Sequence, residues 1–408
     1  MIQAFFIRFL KRRHFWRYAT FSEVAELYAS RTMRLFALRM ASVFTSIYLY
    51  QLGYSLAFIA FFWMGFYLLK VVFAWPSARI AAKRGPKHGT LISNIISAVS
   101  MVLLIYVGSP EYGLFALFAW CVMQAFSGCL NDLCYMVDFS KVKSVEHAGK
   151  EIGYMNIFER VSSGLSPVIG GFLAFLAGPH FVMAVSALLF LLSSVPLLQT
   201  GEPTKTNRRL NFVGFPWRTT WRSFVAEAAI GYDVFVTATA WSLFMTVGVF
   251  VATKDNNDIY AQVGAVTSVA MFASLLASYV YGKLIDRRRG RQLLIVSTIL
   301  NTLVHAGRPF VTTPLGVVYT NVANELATTG MSMSFMRGLF DTADLSGRRI
   351  EYLFIIEMVV NLGAALSAAF LGGLMLVLTD IVSLQVFFAI SSLVTLIIAT
   401  PRFSLYRR

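Results

Sequence analysis

Apolar residues in this chain neither alternate with polar ones nor form a narrow stripe; they come in runs. Twelve runs of about 20 residues, the length a helix needs to cross a hydrocarbon core about 30 Å thick, fall six on either side of a polar middle stretch. The first six cover approximately 31–50, 56–75, 90–107, 112–136, 152–177 and 181–198. The second six cover approximately 226–252, 259–285, 293–310, 315–336, 352–378 and 382–399. In lipid only helices and closed barrels satisfy backbone polar groups. The runs are too long and continuous for the alternating strands of a barrel, so the pattern predicts an all-α membrane protein of twelve transmembrane helices. The expected parts are a basic, aromatic N-terminal segment and helix entrance (1–30), a six-helix bundle (31–198), a central linker (199–221) and a second six-helix bundle (222–408).

Composition agrees. Apolar residues make up 57% of the chain and charged ones 13%, against about 45–50% and about 25% in a soluble domain. No run remains for a soluble catalytic domain, so neither an enzyme nor a cofactor is expected. Thr20 and Glu23 have capping-box spacing and set a helix start near Phe21. The stretch before them is broken by Arg8 and Lys11 and lacks a small-residue cleavage site, so it reads as an interfacial segment against membrane lipids, not a signal peptide.

The net charge of +15 could mean a nucleic-acid partner, but its distribution gives another account. Alternating the loops across a membrane puts 30 of the 35 lysines and arginines on the side of both termini. Lys254 and Arg308 fall opposite, and Arg39, Lys70 and Arg160 fall inside helices. The positive-inside rule then places both termini in the cytoplasm, in a plasma membrane of the bacterial inner type, with no nucleic acid needed. Cys121, Cys129 and Cys134 lie in one predicted helix and read as packing thiols. The five histidines are scattered without ligand spacing, so no metal is implied.

The halves repeat. "GKEIGYMNIFE" (149–159) returns 198 positions later as "GRRIEYLFIIE" (347–357), which marks one helix entrance written twice. The loops after the second and eighth runs, "ARIAAKRGPK" and "GKLIDRRRGR", also correspond. With twelve helices and a central linker, these loops resemble the signature of the major facilitator superfamily, a Gly, a small or apolar pair, an Asp, a base, then Gly and further bases. The second copy keeps Gly282, Asp286, Arg287, Gly290 and Arg291; the first keeps Lys83, Gly85 and Lys87 but has Ala82 at the Asp position. The fifth run, "GYMNIFERVSSGLSPVIGG", is similar to that family's antiporter motif, with serines for two of its glycines. The resemblance implies two pseudo-symmetric six-helix bundles, alternating access, and a central cavity lined by helices 1, 4, 7 and 10.

Two polar stripes fit such a cavity. Gln124, Ser127, Asn131, Tyr135 and Asp138 recur at three- and four-residue steps on the fourth helix. A shift of 197 lays the first three on Asn321, Asn324 and Thr328 of the tenth. Hydrogen bonding between helices within each half is the alternative account. Charges inside spans are costly and mark function: Arg39, Asp132, Asp233 and Glu325 for substrate or coupling, and Lys70, Glu159, Arg160 and Glu357, with Asp286 and Arg287 of the loop, for a gate between the halves. Glu325 stands near the middle of its predicted span, where a carboxylate can load and release a coupling proton or hold the substrate. Lys70 and Glu357 lie at matching depths in helices that the resemblance places side by side, so they are expected to pair across the halves.

The expected function is secondary transport of a small organic solute by a monomer, coupled to protons, with efflux of amphipathic compounds implied by the antiporter-like motif. Uptake of a polar or anionic solute, with Arg39 as anion partner, remains open. So do a lipid flippase or scramblase and a non-transporting sensor built on the same fold.

Overall fold

A computed structural model describes residues 23–42, 45–142, 148–177, 179–199, 201–202, 207, 209–250, 258–403 and 405. Thr20 of the expected capping box and Lys254 lie outside these residues, as does most of the N-terminal segment. The N-terminal bundle contains α1 (Glu23–Ser42) with its continuation α2 (Thr45–Gln51), α3 (Leu56–Arg84), α4 (Pro86–Ile105), α5 (Gly113–Val142), α6 (Ala148–Ala177) and α7 (Pro179–Leu192). The C-terminal bundle begins with α8 (Trp217–Phe235), which passes through a wide π turn (Val236–Ala240) into α9 (Trp241–Phe244) and a second π turn (Met245–Val249). It continues with α10 (Asp258–Asp286), α11 (Gly290–Gly307), α12 (Pro314–Leu345), α13 (Arg349–Met375) and α14 (Asp380–Thr395). Among the described residues these make twelve rods in two six-helix bundles, and eight are by themselves long and apolar enough to cross a membrane.

Local chemistry sets the boundaries. Ser55 caps α3 by accepting from the Phe58 amide at 3.2 Å. Gly85, at φ +93°, ends α3, and Pro86 opens α4 at once. Thr313 caps α12 the same way, ahead of Pro314. The two repeated segments do enter helices, α6 and α13. Helix α1 is described from Glu23 onward, so Arg31 and Arg34 are inside it although the first apolar run begins only at 31. One boundary differs from expectation: α8 starts at Trp217, within the stretch read as linker.

The bundle turns apolar side chains outward and polar ones inward. Phe115, Leu276, Leu303 and Leu393 are each more than half exposed, a surface that lipid solvates and water would not. Ser93, Asn94, Ser97 and Ser100 of α4 are buried. The bundles meet along α3 with α13 and α6 with α10. At the end that carries the basic α3–α4 and α10–α11 loops, here the basic end, aromatic rings close the interface: Phe139 meets Phe340 at 5.4 Å, and Trp75 meets Phe354 at 5.8 Å. Gly153 of α6 lies so close to α10 that a Cβ would stand 3.2 Å from the Ser278 carbonyl. The linker lies across this seam. Its Asn211 amide donates to Glu351 at 2.9 Å, and Arg348 donates to the Asn211 carbonyl.

Candidate functional site

The duplicated segment ends in a carboxylate in both copies, Glu159 on α6 and Glu357 on α13, and both point into the centre. Glu159 accepts from Arg31 at 2.9 Å. Arg31 also reaches Asp132 at 3.2 Å, and the other oxygen of Asp132 accepts from Lys70 at 3.1 Å. Lys70 lies 3.4 Å from Glu357 Oε1, and the same oxygen accepts from the Asn361 amide at 2.7 Å. One chain of charges, Glu159, Arg31, Asp132, Lys70, Glu357, therefore joins α6, α1, α5, α3 and α13 and crosses from one bundle to the other. Glu357 is 3% exposed, whereas Asp132 is 36% exposed, so the chain is dry at the α13 end and open in the middle.

A second ion pair crosses beside it. Arg160, the residue after Glu159, donates to Glu325 of α12, and both are about a quarter exposed. Glu325 thus has an arginine partner from the opposite bundle. Because α12 runs to Leu345, beyond the expected end at 336, Glu325 lies on the N-terminal side of the α12 midpoint and not at the centre of the helix. Arg39 of α1 is exposed and interacts electrostatically with Arg160, Glu325, Glu159 and Tyr67.

The polar stripes are used within their own bundles. Ser127 sits 2.5 Å from Ser97, donates to the Ser93 carbonyl at 2.7 Å and accepts from Arg34 at 3.2 Å. Gln124 accepts from Ser100 at 2.8 Å, so both side chains face α4. Asn131 is buried against Asp132, and Tyr135 lies under the Arg31 guanidinium, 4.4 Å from ring centre to carbon. Asn321 accepts from the Trp241 indole at 2.6 Å, and Thr328 donates to the Asn324 carbonyl at 2.8 Å.

Asp233 belongs to a separate, dry network in the C-terminal bundle. Its Oδ1 meets Asn301 at 2.9 Å and His305 Nε2 at 2.5 Å. His305 Nδ1 faces Arg308 at 3.0 Å, and Arg308 donates to Asn324 at 3.0 Å and stacks over Trp241 at 4.8 Å. Since a guanidinium only donates, Nδ1 accepts and Nε2 carries the proton toward Asp233. Arg308, expected in a solvated loop, is fully buried, because Asp233, His305, Asn324 and an aromatic face compensate it.

At the basic end, Asp286 closes α10 and Arg287 is exposed. In the first copy of this loop, where Ala82 replaces the acid, a linker carboxylate arrives. Glu202 accepts from the Lys87 amide at 3.2 Å and meets His88 Nδ1 at 3.0 Å. Its side chain fills the space beside Gly85, where a Cβ would stand 2.2 Å from the Glu202 carboxyl carbon. Lys87 itself is buried on Glu26 of α1 at 3.1 Å.

Sequence reasoning missed Arg31, Arg34, His305, Arg308 and Glu202. A signal existed for the first two: the Thr20/Glu23 spacing already put them two turns inside a helix.

Comparison with known proteins agrees with this architecture. The sequence profile of the Major Facilitator Superfamily matches residues 27–340. No curated protein sequence matches the chain. Among solved structures, the chain is similar to the human organic anion transporter MFSD10 (TETRAN), at 11% identity and TM-score 0.68, over 92% of this chain and 97% of that one. It is also similar to the nucleoside transporter NupG, at 14% identity and TM-score 0.63, over 95% and 99% of the two chains. At these identities the likeness concerns the fold.

Proposed function

The chain belongs to the major facilitator superfamily, and on that premise we propose that it moves a small organic solute across a cell membrane by alternating access, with protons as the coupling ion. The observation that carries this is the Glu159, Arg31, Asp132, Lys70, Glu357 chain, a set of paired charges at the seam between two bundles that alternating access must part. Parting the bundles separates Lys70 from Glu357 and Arg160 from Glu325, while Arg31, Asp132 and Lys70 stay together in one bundle. The part-exposed Asp132, Arg160 and Glu325 are tenable at this depth only toward water, which supports an aqueous central cavity. With aromatic rings sealing the basic end, that cavity opens at the opposite one. If the basic end is cytoplasmic, in a plasma membrane of the bacterial inner type with both termini inside, this is the outward-facing state.

Glu325 is the coupling carboxylate in this reading: it is paired with Arg160 while the bundles touch there, and separation frees its oxygens for another partner. Close α6–α10 packing at Gly153 suits the rocking of one bundle on the other and keeps the lean toward efflux. The test is solute counterflow in proteoliposomes with an internal pH dye, comparing wild type with Glu325→Gln. Substrate exchange retained with pH-driven accumulation lost supports the assignment; accumulation at the wild-type level in the variant overturns it. Movement of lipid without any solute flux would favour a scramblase instead.

A further inference from the structure

We infer that the solute carries an anionic group, a carboxylate, sulfonate or phosphate on an aromatic or other apolar body, and that Arg39 receives that group; this rests on the transporter reading above. Three observations lead there. Arg39 is exposed although it lies sixteen residues into α1, and the groups it senses come from three other helices: Arg160 and Glu159 of α6, Glu325 of α12 and Tyr67 of α3. A side chain so placed faces the space between the bundles and not the lipid. Both carboxylates in its reach are already engaged, Glu159 by Arg31 and Glu325 by Arg160. Arg39 makes no hydrogen bond or ion pair with the described residues, so among them it is a cavity cation whose anion has yet to be supplied.

The local charge has the same sign. Arg34, five residues earlier on α1, is buried with only neutral hydrogen-bond partners, Asn94 at 2.6 Å and Ser127 at 3.2 Å. Two guanidinium charges on α1 thus lack a bonded carboxylate, and a low-dielectric wall focuses that potential on the cavity. A planar guanidinium with free donors suits an oxyanion through paired hydrogen bonds. The apolar body has a surface to lie on: Tyr67, Phe66 and Trp63 are contiguous on α3, and Tyr67 meets Phe235 of α8 edge to face at 6.4 Å. A cationic solute would face like charge from Arg39.

The experiment is a thermal-shift and binding screen of the purified full chain in detergent. The probes are size-matched aromatic triads, each a carboxylate or sulfonate, its neutral amide and its amine: 2-naphthoate, 2-naphthamide and 2-naphthylmethylamine, extended over several ring systems. Binders confined to the anions, weakened roughly 10- to 100-fold by Arg39→Gln as expected for loss of a charge-assisted contact and partly rescued by Arg39→Lys, support the inference. Binders among amides or amines, no anion binder across the panel, or anion affinity unchanged in Arg39→Gln overturn it. Should Arg39→Gln fail to fold, protection of Arg39 from phenylglyoxal by the bound anion in the wild type decides the matter, and lack of protection overturns the inference. Anion binding that depends on Arg39 but brings no counterflow would leave this site standing and remove the transport reading, so the two failures are distinguishable.

Discussion

Replacing Lys70 with methionine keeps the bulk of the side chain and removes the cation that Asp132 of one bundle and Glu357 of the other share. Asp132 is left with Arg31 at 3.2 Å, but Glu357, 3% exposed, is left with only the Asn361 amide. Breaking a buried pair from one side costs about 3–5 kcal/mol, because the other charge stays uncompensated. The amide and the option of taking up a proton argue for the lower end, about 3 kcal/mol. That cost falls only on the state in which the bundles touch at the basic end, so it shifts the balance away from that state roughly 150-fold. Spin labels at Lys83→Cys and Leu345→Cys, exposed positions on α3 and α12 near that end, would report the change as a longer distance population; the native cysteines are buried. Adding Glu357→Gln removes both charges and should bring the closed population back to within about 1 kcal/mol. Simple charge reversal is the poorer test, since a carboxylate at position 70 would be set against Asp132. An unchanged distance distribution in a folded Lys70→Met protein would refute the reasoning.

Glu202→Ala should loosen the first turn of α4 by about 1 kcal/mol, seen as roughly fivefold faster amide exchange at 87–90, with little effect on solute binding. Gly363→Ala should lower the melting temperature by several degrees and cost about 1–3 kcal/mol, because its Cβ would stand 1.8 Å from the Ala228 carbonyl; a wild-type melting curve would contradict that close approach. His305→Ala should cost about 3–5 kcal/mol by leaving Asp233 and Arg308 buried without their shared partner, read as loss of monodisperse protein or a large fall in melting temperature.

The fold was legible because lipid makes one demand, a long apolar run, and that demand is written residue by residue. The site was legible only where a charge interrupts such a run. Lys70, Glu325 and Glu357 stood out for that reason. Arg31 and Arg34 did not, because a hydropathy window begins where charge thins out and so cuts α1 at 31, although Thr20 and Glu23 set the helix start about ten residues earlier. Partners were less legible than positions. Nothing in local sequence says that Glu325 meets Arg160, since the two lie 165 positions apart and in different bundles. The polar stripes misled in a definite way: a helix in lipid hides Ser and Gln against neighbours as readily as it presents them to a cavity, and Ser127 and Gln124 are spent on α4.

The repeat shows how far symmetry predicts chemistry and where it gives out. Glu159 and Glu357 occupy equivalent positions and end the same charge chain, yet the residues between them, Arg31, Asp132 and Lys70, all belong to the N-terminal bundle. A bridge with its cations on one side can open as a unit: when the bundles part, the N-terminal side keeps Lys70 on Asp132, and only Glu357 has to find water, a proton or another donor. The basic-end loops diverged in the opposite manner, one bundle keeping Asp286 on its own helix while the other receives Glu202 from the linker. Because that linker also binds Glu351 at the α13 entrance through Asn211, the acid that caps α4 and the clasp on α13 both come from the linker. Pulling α13 away from the first bundle therefore parts Lys70 from Glu357, while Asn211 stays bound to α13 and Glu202 to the loop in which the first copy lost its aspartate.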